Sequence, residues 1–297
     1  MLMNILNRRG KQVGRLRVAL CLALVLWTCA CAASRPPDPA GPRPNEPPYP
    51  ILLVESDDRR ATTLAEWTTL TRDQGIINAP APELQPVTAT LRSLPTLPDP
   101  LYLPKVGEGT PMTEEETRES LRRFIGYTSK LIGAEPRQLS LVLRTDLADG
   151  TKKAEYRQRP FQRYPLRGGY GVLEISFAPD RRILQITSTC IPEVDQLQRA
   201  GAGVRPTVTA EQARERVIGQ TFSYTDAAGT QQTRTVDKVD EITVRELVVF
   251  PRPRPSDASA LEFHLAWETL VGPEPKRVVY LDAVTGEVIA ATQFSPP

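Results

Sequence analysis

The chain has 297 residues, enough for two modest domains, with 29 prolines, four cysteines and a single histidine. Its net charge of +2 misleads: five cations (Arg8, Arg9, Lys11, Arg15, Arg17) and no acid fall within residues 1–30, and taking those five from +2 leaves −3 for the rest. A weakly acidic body excludes a nucleic-acid footprint, and one histidine excludes the H-E-x-x-H zinc helix, which needs two a turn apart.

Residues 1–30 read as an export signal. The basic start leads into an apolar run, Val18 to Trp27, shorter than the roughly 20 residues of a membrane span. Thr28-Cys29-Ala30-Cys31 follows, where Ala30-Cys31 suits cleavage before a cysteine that becomes lipidated. Thr28 and Cys29 depart from the usual lipobox residues, so ordinary cleavage near Ala32 or Ala33 and an uncleaved anchor stay open. With Cys21 and Cys29 in the signal and Cys31 acylated, only Cys190 remains, and no intramolecular disulfide is expected. Cys190 ends an apolar strand pattern and reads as a small buried hydrophobe, with a reactive thiol as the alternative.

Residues 31–50 form a proline-rich tether, Arg35-Pro36-Pro37-Asp38-Pro39 through Pro50. Its sixteen-residue core would span about 45 Å at roughly 3.1 Å per residue. Residues 51–110 are expected as an extended irregular segment. A short strand at Ile51–Val54 and a helical turn or two around Trp67 interrupt it, and Leu91, Leu94, Leu97, Leu101 and Leu103 anchor it on the body; disorder is the competing reading.

At Thr113 the pattern turns helical. Thr113-Glu114-Glu115-Glu116 is a capping box, Leu121, Phe124, Ile125, Leu131 and Ile132 make an apolar stripe, and Gly133 with Pro136 ends it. Strand patterns follow near 139–144, 153–159, 172–177 and 182–189, with Asp149-Gly150 as a hairpin turn and Gly168-Gly169-Tyr170-Gly171 as a tight corner. Residues 195–206 are expected as a linker. Thr209 with Gln212 begins a second capped helix, closed by Gly219, and strands are expected near 221–225, 231–250, 261–270, 276–282 and 287–293. Pro251-Arg252-Pro253-Arg254-Pro255-Ser256-Asp257 is expected as an exposed loop, because proline cannot donate to a central ladder. The fold class is α+β: a helix-then-antiparallel-sheet unit occurring twice, at 111–195 and 206–297.

Tyr156, Arg157, Gln162-x-Tyr164, the glycine corner and the strand–turn–strand to Cys190 resemble the fungalysin–thermolysin propeptide domain. Here Pro165-Leu166-Arg167 stands where that family usually places a Gly-Val-Pro-Val-like string. Leu265-Ala266-Trp267-Glu268, followed by Val278-Val279-Tyr280-Leu281-Asp282-Ala283-Val284-Thr285-Gly286-Glu287-Val288, resembles the end of a PepSY domain. The resemblance implies a propeptide-like body without its catalytic domain: a non-enzymatic, exported protein that binds, inhibits or helps fold a secreted or envelope metallopeptidase in trans. The alternative is a structural or assembly lipoprotein with a non-protease partner. Membrane attachment is expected through the lipid on Cys31, at the outer membrane or periplasmic face in a Gram-negative envelope.

No cofactor, catalytic residue or metal ligand is expected. His264 reads as a strand residue beside Trp267. No serine sits in a nucleophile-elbow context. Asp237, Asp240 and Glu241 lack calcium-loop spacing. Arg252, Arg254, Asp282 and Gly286 are the candidate partner contacts, although Asp282 can equally cap its own turn through the amides that follow it.

Overall fold

The computed structural model describes residues 49–109, 112–159, 163–225, 230–272 and 276–293. The export signal, Cys31, nearly all of the tether and Gln162 lie outside the described residues. The fold is mixed α+β, and residues 47–297 make up one compact unit.

β1 (Ile51–Val54) alternates buried Ile51 and Leu53 with exposed Leu52 and Val54. α1 (Asp57–Asp73) corrects the extended reading of residues 51–110. Ser56 caps it, accepting from the Arg59 amide at 3.2 Å, with Asp57 and Asp58 in the first turn. Its helical signal is faint because it carries five threonines. Four of them turn their hydroxyls back onto the carbonyl four residues earlier: Thr62 to Asp58, Thr68 to Leu64, Thr69 to Ala65 and Thr71 to Trp67. That bond lets a β-branched polar residue sit in a helix, and it leaves little apolar periodicity in the letters. Trp67 and Leu70 bury the inner face, and the Trp67 indole donates to the Pro80 carbonyl at 3.0 Å.

β2 (Glu83–Leu84) and β3 (Leu91–Ser93) form a small antiparallel pair. Beyond them Leu101 and Leu103 are buried, and the chain bonds along the sheet that follows: Leu103 N–H to Arg181 O at 3.0 Å, and Ile183 N–H to Leu101 O at 2.8 Å. α2 (Glu114–Tyr127) carries the expected capping box, with Thr113 and Glu116 each bonding the other's backbone. α3 (Ser129–Ile132) continues it to a left-handed Gly133.

β4 (Leu139–Asp146), β5 (Lys152–Gln158), β6 (Val172–Phe177) and β7 (Ile183–Ser188) make an antiparallel meander in that order. Ala154, Leu173, Ile175 and Ile186 face a core shared with Leu121, Phe124, Ile125, Trp67 and Leu70. Cys190 is fully buried in the same core, in keeping with a packing role.

α4 (Val194–Gly201) replaces the expected linker over 195–206. Its buried Val194 and Leu197 pack with Ile51, Leu53, Leu261 and Phe263, which docks it on the larger sheet. α5 (Ala210–Val217) has its capping box at Thr209 and Gln212. β8 (Thr221–Thr225) and β9 (Gln231–Thr235) pair as a separate ribbon.

β10 (Ile242–Arg254), β11 (Asp257–Val271), β12 (Arg277–Asp282) and β13 (Val288–Gln293) complete the chain. β11 is the spine of the larger sheet. β10 pairs along one side of it; β1 and β12 share the other side, and β13 pairs outside β12. The expected exposed loop at 251–257 is instead a continuation of β10 through Pro251 and Pro253, with only a tight turn into β11. Parity explains the tolerance. The Val249 amide points away from β11, donating to Pro165 O at 2.9 Å. Pro251 and Pro253 share that outward direction, so their missing N–H groups cost no bond to β11. β12 is buried on both faces from Val278 onward.

Candidate functional site

One face of β11 carries Glu262, His264, Ala266 and Glu268 at every second position, and all four are buried. Opposite His264 in the ladder stands Phe250, and opposite Ala266 stands Asp282. The register therefore delivers two clusters of acidic and polar side chains to a sheet interior.

The first cluster is a chain of bonded groups. His264 Nδ1 lies 2.7 Å from Asp282 Oδ2, and His264 Nε2 lies 3.2 Å from Glu262 Oε2. Asp282 Oδ2 also accepts from the Tyr49 hydroxyl at 2.9 Å, and that hydroxyl accepts from the Leu265 amide at 3.0 Å. Asp282 Oδ1 accepts from the amides of Val284 and Thr285 at 2.7 and 2.9 Å, the turn-capping role open to it from the sequence. Glu262 is gripped from the outer side by Arg252 Nε at 3.2 Å and by Arg254 Nε at 3.5 Å.

Burial pushes the Asp282 carboxyl up, but the bonds from His264, the Thr285 and Val284 amides and Tyr49 outweigh it, leaving Asp282 below the usual aspartate range. Burial, reinforced by the Asp282 charge, pushes the Tyr49 hydroxyl well above the ordinary tyrosine range, so it stays a donor. Both ring nitrogens of His264 are engaged by carboxylates, which leaves neither facing a substrate. A cavity of about 30 Å³ beside Tyr49, Tyr164 and His264 has room for a single water. Among the described residues no cluster of histidine, cysteine and carboxylates could hold a metal.

The second cluster surrounds Glu268. Arg167 Nε and Arg245 Nη1 lie 2.8 and 2.7 Å from its two oxygens, with Tyr280 nearby. Arg167 comes from the Pro165-Leu166-Arg167 triplet that breaks the propeptide pattern. Its neighbour Leu166 bridges Val249 of β10, so the triplet straps the stretch before β6 onto the larger sheet. Gly168 makes this approach possible: its φ is +70°, and a side-chain carbon there would press on the Phe250 ring and the Pro251 carbonyl.

The four expected contact residues thus fall in two groups. Arg252 and Arg254 sit at the rim, committed to Glu262. Asp282 is 1% exposed, so its side chain offers no contact surface; Gly286 is half-buried, and the Arg216 guanidinium lies where a side chain on it would stand, donating to Thr285 O at 3.1 Å. The sequence reading missed Tyr49, Glu262 and Glu268, and placed His264 in a strand without its partners. The available signal was the i, i+2, i+4, i+6 row of Glu262, His264, Ala266 and Glu268 in a run otherwise apolar.

A different surface is open. β7's outer edge is covered by Leu101–Leu103, whereas β4 is the free edge of its sheet among the described residues. On it Leu141, Val142 and Leu143 are 36%, 53% and 51% exposed, with the pairing to β5 broken by a bulge at Val142.

No protein-family model matches the chain, and no curated protein matches it. Among solved structures it is similar to the Bacillus megaterium YpeB C-terminal domain, at 9% identity and a TM-score of 0.32, over 82% of this chain and 99% of that one. A superposition that loose carries no inference about function.

Proposed function

We propose that the chain is an exported, non-enzymatic binding protein, anchored in the cell envelope by a lipid on Cys31, whose body docks on another protein by accepting an extended segment at the β4 edge. The observation that carries the reading is the unpaired edge itself. A strand with open amides and carbonyls and three exposed apolar side chains is a template for strand addition; proteins usually blunt such edges with charge, proline, a bulge or cover, and β4 has the bulge at Val142 but no covering segment among the described residues. β7, at the other side of the same sheet, is covered; β4, among the described residues, is not. The resemblance of the 111–195 and 206–297 segments to thermolysin-type propeptides supports a secreted or envelope peptidase as the partner class. The buried His264 chain then serves to hold the body together.

The test mixes the purified full chain with thermolysin-type peptidases and follows complex formation, peptidase activity and peptidase refolding. Binding that is lost in Val142→Lys and Leu143→Lys, with thermal stability kept, supports the reading. No complex and no change in activity or refolding sinks the peptidase version. A complex that both lysine variants retain sinks the β4 edge.

A further inference from the structure

A groove of about 790 Å³ runs between α4 and the stretch before β6, lined by Arg163, Tyr164, Asp195, Arg199 and Arg205. Most other arginines of the described body pair with a carboxylate, as Arg59 does with Glu193 and Arg245 with Glu268. Arg163, Arg199 and Arg205 form no ion pair among the described residues, and the one acid in the groove, Asp195, leaves its lining with a net charge of +2.

Two of the three guanidiniums are held in place without being neutralised. Arg163 lies 5.2 Å from the centroid of the Tyr164 ring and donates to its hydroxyl at 3.0 Å. Arg205 Nη1 donates to the carbonyls of Ala202 and Val204 at 2.8 and 2.9 Å, which holds the guanidinium at the groove. Arg199 projects from the exposed face of α4, one turn beyond Asp195. Planar forks fixed in advance and left uncompensated suit the oxygens of a phosphate, because little side-chain freedom remains to be lost on binding.

Position suggests the source of that phosphate. Tyr164 lines the groove on one side and, on the other, the small cavity it shares with Tyr49, the first described residue and nearly the last of the tether. The groove therefore opens beside the point where the chain leaves for its N-terminal segment. We infer that the Arg163–Arg199–Arg205 groove binds the phosphate of an anionic lipid headgroup, giving the body a second hold on the membrane beside its tether. This rests on the envelope anchoring proposed above, not on the β4 edge.

The full chain in maltoside micelles is titrated, at constant ionic strength, with dihexanoyl phosphatidylglycerol, dihexanoyl phosphatidylcholine and inorganic phosphate, and its thermal midpoint is followed. The inference expects a saturable rise with phosphatidylglycerol and none with phosphatidylcholine. The half-saturating concentration should increase about tenfold or more in Arg199→Gln/Arg205→Gln, which corresponds to about 1.4 kcal/mol. Each rise is measured from the variant's own ligand-free midpoint, because Arg205→Gln also removes the bonds to the Ala202 and Val204 carbonyls.

No saturable rise with phosphatidylglycerol, or a rise unchanged in the variant, overturns the inference. A rise of equal size and midpoint with inorganic phosphate overturns the headgroup assignment in favour of free phosphate. Whether Cys31 is acylated is read separately, by palmitate labelling of wild type and Cys31→Ala. A failed anchor and a failed groove are thereby told apart.

Discussion

The two sheets handle a buried face in opposite ways. The β4–β7 meander follows simple division of labour: β6 alternates partly exposed with buried residues, apolar toward the helices, while charges such as Lys153 and Glu174 pair on the outer side. β11 is buried along nearly its whole length and on both faces, and it takes two glutamates and a histidine inside with it. A meander of the first kind is held by apolar area and tolerates change on its wet face. A spine of the second kind is held by partners, since an ionised group stripped of its partner in a sheet interior is costly.

Asp282 offers the largest test of that contrast. Asp282→Ala removes the acceptor for Tyr49, for His264 and for two turn amides at once, and urea unfolding should show a loss of roughly 3–5 kcal/mol. Asp282→Asn sets the pH dependence. The Asp282 carboxyl is depressed in the folded state, so its stabilisation is present above the usual aspartate range and is lost as pH falls through the depressed value. The gap between wild type and Asp282→Asn should therefore close on acidification; a gap constant from neutral pH down to acid unfolding would refute the role given to the carboxylate.

Glu268→Gln should cost less, about 1–3 kcal/mol, because Arg167 and Arg245 are partly exposed and can turn to water. The matched change on the meander's outer face, Glu174→Gln, should stay within about 0.5 kcal/mol. If the two cost the same in parallel urea titrations, the proposed difference between the sheets fails.

Tyr49→Phe removes one hydroxyl that bridges Asp282 and the Leu265 amide, for about 1 kcal/mol. Its effect should be local, with faster hydrogen exchange along β1 and unchanged exchange in β6. The smallest effect is chemical. Burial pushes the Cys190 thiol up to about 12, so iodoacetamide should leave it untouched in the native chain and label it in denaturant.

The elements legible in the letters were those whose order is local. Thr113 with Glu116 and Thr209 with Gln212 announce their helices because a capping box is complete within four residues. The β4–β7 strands show because each needs only its own alternation. α1 showed only as a turn or two around Trp67, because its threonines satisfy themselves against the carbonyl a turn back and leave little apolar stripe to read. α4 stayed hidden because eight residues bearing two buried apolar side chains look like a linker until Ile51 and Phe263 arrive to cover them. The continuation of β10 through Pro251 and Pro253 could not be read at all without knowing which way the Val249 amide points.

By itself, then, the sequence determined the α+β class, the two capped helices, the meander and the Asp282 turn, because each depends on contacts a few residues apart. The tertiary structure alone decided that Tyr49 reaches Asp282 across more than two hundred residues, that His264 lies between two carboxylates, and that Arg167 straps one sheet to Glu268 of the other. Those pairings follow from strand register, and register is a property of two chain segments together, which neither segment carries alone.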